Sequence, residues 1–160
     1  MKCILLIILL FSALNHHAQN LLLNASFEDT LLKTTPAYAP EFWVSPTNGS
    51  PYFFVPYPNF NRMAPLNVFG YQFALSGDSY VGLVIYALAR PTDGKRRREY
   101  IQNEMTDSLV SDSIYCLQLF VSLADSSRYA SKGKLAVYLS QNQIRSNNSF
   151  FLPEIPQIIV

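Results

Sequence analysis

Apolar and polar positions alternate with a period of two along most of this chain, which predicts strands rather than helices. The clearest run is Ser113 to Asp125, where Tyr115, Leu117, Leu119, Val121 and Leu123 share one face and Cys116, Gln118, Phe120 and Ser122 the other. Its second face is partly apolar as well, so a long central strand covered on both sides is expected, with Cys116 a buried and inert thiol. Shorter runs predict strands at Asn20–Phe27, Glu41–Val44, Tyr71–Leu75, Tyr80–Tyr86, Glu99–Met105, Leu135–Ser140 and Gln157–Val160. Ser76-Gly77-Asp78-Ser79 and Thr92-Asp93-Gly94 supply the turn chemistry between neighbours. No segment holds a helical period over three turns. Seven or eight short strands separated by prolines therefore predict an all-β fold, a β-sandwich or jelly roll.

The first residues break this pattern. Lys2 precedes an apolar run from Cys3 to Leu14 and a polar stretch that ends at Ala18, the layout of a secretory signal peptide covering residues 1–18. The run is shorter than the roughly 20 apolar residues a membrane span needs, and no later segment approaches that length. Residues 19–160 then form one domain, exported to the periplasm, the outer-membrane surface or the extracellular space. Removal of the leader also removes His16 and His17, the only histidines, together with Cys3 and Lys2. Without Lys2 the 12 basic residues fall to one fewer, matching the 11 acids. Without imidazole there is no Ser-His-Asp or Cys-His pair and no zinc site of ordinary composition. A neutral exported chain is also a poor partner for nucleic acid.

Three features remain as candidate chemistry. Pro46 to Phe69 is rich in proline and aromatic residues and predicts a long irregular loop instead of a regular central strand. Its rings Tyr52, Tyr57 and Phe60, with Trp43, the single tryptophan, suit stacking against the apolar face of a sugar. A structural role ranks ahead of this: the same rings form a satellite core closing the open end of the sandwich. Glu28 at the end of the first strand and Asp78 in a turn are candidate calcium ligands, because a hard cation gathers about six to eight oxygens, many of them loop carbonyls; local capping and turn hydrogen bonds are the alternative roles. Lys95-Arg96-Arg97-Arg98 is a charge run that could meet an anionic surface or be a solvated hairpin loop. Glu99 and Glu104 are five apart, so in a strand they project from opposite faces and cannot flank one bond. No enzyme is expected.

A family resemblance adds to this reading. Asn24-Ala-Ser-Phe-Glu28, Phe69-Gly-Tyr-Gln72, Ser76-Gly-Asp-Ser-Tyr-Val-Gly82, Arg98-Glu-Tyr-Ile-Gln102, Tyr115 with Phe120-Val-Ser-Leu-Ala-Asp125, and Ile155-Pro-Gln157 occur in an order that resembles one family. It is the N-terminal jelly-roll module, galactose-binding-like and carbohydrate-binding-module-like, of exported outer-membrane OmpA-type proteins of the Bacteroidota. The resemblance implies a galactose-binding-like jelly roll, a structural calcium at Glu28, and glycan binding on a sheet face or at loops. Such modules continue past Ile-Pro-Gln into further strands and a peptidoglycan-binding domain. The expectation is thus a chain lacking its final strand or strands, which does not itself bind peptidoglycan. Two functions follow: a non-catalytic envelope module that binds polysaccharide through loop aromatics, or a structural adaptor that contacts an envelope protein and takes no small ligand.

Overall fold

The computed structural model describes residues 19–31, 39–56, 63–85, 87–88, 96–127, 135–148 and 151–159. The chain is all-β: the described residues form twelve strands of two or three residues and no helix. They pair antiparallel as β1 (Thr30–Leu31) with β2 (Ala39–Pro40), β3 (Trp43–Val44) with β10 (Gln102–Asn103), and β4 (Tyr52–Phe54) with β7 (Tyr80–Gly82). The remaining pairs are β5 (Leu66–Asn67) with β6 (Gly70–Tyr71), β8 (Ala87–Leu88) with β9 (Arg96–Arg97), and β11 (Ala136–Val137) with β12 (Ile158–Ile159). Single bridges join Leu22 to Met105 and Val55 to Met63.

The ladders are short for identifiable reasons. Proline offers no N–H to a ladder, and a residue with positive φ turns the chain out of the pleat. The expected strand Asn20–Phe27 reduces to the bridge at Leu22, because Asn24 (φ 46°) and Phe27 (φ 64°) are left-handed. Phe42 (φ 68°) likewise confines the expected strand at Glu41–Val44 to its last two residues. The runs at Glu99–Met105, Leu135–Ser140 and Gln157–Val160 each retain a paired stretch of two residues, whereas Tyr71–Leu75 pairs only at Tyr71 and Tyr80–Tyr86 only over its first three residues. Thr92-Asp93-Gly94 lies outside the described residues.

The core sits where a loop was expected. Among the described residues Phe53, Phe54 and Val55 are the buried aromatic and aliphatic side chains, and β4 paired with β7 is the longest ladder, with Tyr52 opposite Gly82, Phe53 opposite Val81 and Phe54 opposite Tyr80. Prolines 51 and 56 bracket this stretch without entering it, leaving an uninterrupted run of β-forming residues. Phe54 is 2% exposed. Its ring lies 4.9 Å from Tyr80 and meets Phe69 edge-on at 6.1 Å, while Tyr52 meets Phe69 edge-on at 4.8 Å. Proline density therefore marks the ends of the core strand instead of ruling it out.

The expected central strand at 113–125 is corrected in the opposite direction. None of these residues joins a ladder, and 113–125 are exposed throughout, with Ile114 fully so. Cys116, expected to be buried, is exposed with them. The segment is tethered at its ends: the Val110 N–H donates to the Tyr115 hydroxyl at 2.8 Å, the Ser126 N–H to the Phe69 carbonyl at 3.0 Å, and the Tyr71 N–H to the Asp125 carboxylate at 2.8 Å. Alternation shows which side chains share a face and is silent on whether a neighbouring strand stands beside them.

Truncation at the core should separate sharply from truncation on this segment. Phe54→Ala is expected to lower the free energy of unfolding by about 3–5 kcal/mol, and Val121→Ala to change it by less than about 0.5 kcal/mol. Urea titration of the full-length chain reads both.

Candidate functional site

Three acidic side chains, far apart in sequence, each close on a backbone N–H. The first depends on Asn24, whose side-chain amide donates to the carbonyls of Asp29 (2.8 Å) and Glu41 (3.1 Å) and whose oxygen accepts from the Asp29 N–H at 3.1 Å. This closed turn presents Glu28. One Glu28 oxygen accepts the N–H groups of Asp78 (2.9 Å) and Ser79 (2.8 Å), and the other accepts the Ser79 hydroxyl at 3.2 Å. Gly77 (φ +67°) allows the approach, since a Cβ there would overlap the Glu28 carboxylate.

The second is Asp125 on Tyr71. Gly70 (φ +133°) has the same need, because its Cβ would run into the Asp125 side chain. Nearby, the Asn67 amide donates to the Tyr80 hydroxyl at 2.7 Å. Burial pushes the Tyr80 phenol up, against the lowering effect of that hydrogen bond and with a smaller upward push from Asp125.

The third is Glu99, only 5% exposed. Its carboxylate accepts the Val84 N–H at 2.9 Å, and its own N–H donates to the Val84 carbonyl at 2.9 Å. Arg97 stands 3.8 Å from the other oxygen. Burial raises the Glu99 carboxyl above its ordinary range; hydrogen bonds from the Val84 and Ser50 backbones and the charge of Arg97 pull it back. Glu104, by contrast, is exposed, as opposite faces require.

Against this geometry the expected site residues divide. Glu28 and Asp78 do come together, but through the Asp78 backbone. Both Glu28 oxygens accept hydrogen bonds from N–H or O–H donors, so the carboxylate is engaged within the chain. No group of three or more His, Cys, Asp or Glu side chains gathers among the described residues. Trp43 is half-buried: its ring lies 4.9 Å from Phe27 and its indole N–H donates to the Asn24 carbonyl at 2.8 Å. Tyr52 belongs to the aromatic core, and Tyr57 and Phe60 lie outside the described residues. In the basic run, Arg97 reaches Ser50 Oγ at 3.5 Å besides Glu99, and the Arg98 guanidinium sits 4.5 Å above the Phe151 ring, so both cations are held by the fold.

Several described aromatic residues face solvent, Phe42 and Phe120 among them, and two of these meet ring to ring: Tyr71 and Phe73, 53% and 65% exposed, with ring centroids 5.1 Å apart and planes at 89°. Reading for sugar-stacking rings in the proline-rich segment passed them over. The signal was available in Tyr71-Gln72-Phe73, two rings at a strand's same-face spacing with a polar residue between.

Two predictions follow from the carboxylates. Glu28→Gln should cost about 1–2 kcal/mol by weakening charge-assisted bonds, while the thermal midpoint of the wild type stays the same in calcium and in chelator. For Glu99 the folded state holds its proton to higher pH than the unfolded chain. Stability contributed by this group is therefore present at low pH and lost as pH rises from the ordinary glutamate value, 4.5, through the raised one. Unfolding midpoints measured across that window should fall in the wild type relative to Glu99→Gln.

No family model, curated protein or solved structure matches the chain, so the function of this surface has to come from its own chemistry.

Proposed function

We propose that the chain is an exported, non-catalytic module of the cell envelope, built as a β-sandwich of jelly-roll type, that binds polysaccharide through surface aromatics. The observation that carries this is a set of aromatic rings in solvent on a backbone pinned by carboxylate clasps. Rings fixed in this way offer stacking area with little left to order on binding. Glu28, Asp125 and Glu99 each hold a different stretch of backbone, a use of acidic side chains that a non-catalytic module makes. The leader-like residues 1–18 support export, and no helix among the described residues is long and apolar enough to cross a membrane.

A second reading, a structural adaptor that contacts an envelope protein, is favoured by the segment 113–124. It exposes Leu117, Leu119, Phe120, Val121 and Leu123 without an intervening charge, more apolar surface than sugar recognition requires. The two readings part on one measurement. In affinity electrophoresis through gels cast with soluble neutral polysaccharides, a glycan-binding module is retarded in proportion to polysaccharide concentration and the retardation saturates. Unchanged mobility across hydroxyethyl cellulose, xyloglucan and galactomannan, with a soluble folded chain, would abandon the glycan reading for the adaptor.

A further inference from the structure

We infer that the glycan platform is the corner formed by Tyr71 and Phe73, taking one neutral pyranose residue of a polysaccharide, and that Trp43 and Tyr52 serve the fold instead. The inference rests on the glycan-binding reading and places it at specific atoms.

Tyr71 ends β6 and Phe73 follows two residues on, and their rings fall on one side. Meeting at 89° with centroids 5.1 Å apart, they form a shelf and a wall, and more than half of each residue is open to solvent. A pyranose has an apolar C–H face that can lie on such a shelf while its hydroxyls turn outward. Acceptors for those hydroxyls stand beside the rings. Asp125 spends Oδ2 on the Tyr71 N–H, leaving Oδ1 without a hydrogen-bond partner among the described residues. Gln72 spends Nε2 on the Phe73 carbonyl at 2.8 Å, leaving Oε1 in the same condition.

The backbone beneath is held from several directions. Tyr71 pairs with Leu66 across the β5–β6 hairpin, the Gln72 N–H donates to the Pro65 carbonyl at 2.8 Å, and Asp125 holds the Tyr71 N–H. The platform is thus pre-formed, which lowers the ordering cost of binding. Its chemistry also selects the occupant. A carboxylate oxygen beside the rings disfavours acidic sugars and lipid acyl chains, whereas a neutral sugar offers both an apolar face and hydroxyl donors. Trp43 cannot do the same work, with its indole N–H given to Asn24 and its ring set against Phe27.

The test uses the full-length chain in affinity electrophoresis with hydroxyethyl cellulose, xyloglucan and galactomannan, beside thermal unfolding of each variant. Tyr71→Ala and Phe73→Ala should each weaken binding by about tenfold or more with the unfolding midpoint nearly unchanged, and Tyr71→Phe should retain it. Trp43→Phe should lower the midpoint and keep binding where it remains folded. Retention of wild-type affinity by both alanine variants would overturn the platform and leave the glycan reading standing at another surface. No binding by the wild type to any of the three polysaccharides would remove both.

Discussion

A carboxylate accepting a backbone N–H from a distant part of the chain is the interaction on which this structure depends. Glu28 reaches across 50 residues to Asp78 and Asp125 across 54 to Tyr71, and each passes over a glycine whose missing Cβ makes the approach possible. In a fold with long ladders such bonds would be accessory. Here the regular pairs are two or three residues long, and the clasps fix where one short pair lies relative to the next. An anionic acceptor suits the task, because its hydrogen bonds are shorter and stronger than those between neutral groups.

Side-chain amides extend the same device. Gln102 donates to the Ile144 carbonyl at 2.8 Å and accepts the Ile144 N–H at 3.2 Å, and Gln157 makes the equivalent pair with Leu139 at 3.1 and 2.8 Å. A primary amide offering one donor and one acceptor reproduces what a strand residue offers its neighbour. These bonds join segments whose own backbone does not continue a ladder. Prolines and left-handed residues break the strands, and polar side chains satisfy part of what the breaks leave open.

Much of this frame was legible in the sequence, and the limits of legibility are physical. Period-two alternation gave the all-β class and overlapped six of the twelve described strands, because it reports side-chain direction, a local property. It overreached at 113–125, where direction was plain and no strand among the described residues pairs with the segment. It undercalled Tyr52–Val55 for the converse reason: proline is a local signal of broken pairing, and here it bounds the strand. The approach of Glu28 to residue 78 was foreseen as a shared metal site. Sequence supplied the two acids and the turn, while the pair of N–H donors that meets Glu28 lay in the backbone orientation of residues 77–79. Glu99 gave no signal of burial, since an acid between an arginine and a tyrosine reads as surface.

The aromatic residues show the same limit from the side of function. Trp43, Tyr52, Tyr71 and Phe73 are chemically alike as stacking surfaces, and a count of rings cannot rank them. What separates them is the use made of their edges and polar atoms. The Trp43 indole N–H has a carbonyl, and Tyr52 has Phe54 and Phe69 as neighbours. Tyr71 and Phe73 have chiefly each other and water. The backbone beneath this pair is held by Asp125 on the Tyr71 N–H and by the Gln72 N–H on the Pro65 carbonyl. The clasp that substitutes for a longer ladder thus also fixes the support on which these two rings meet the solvent.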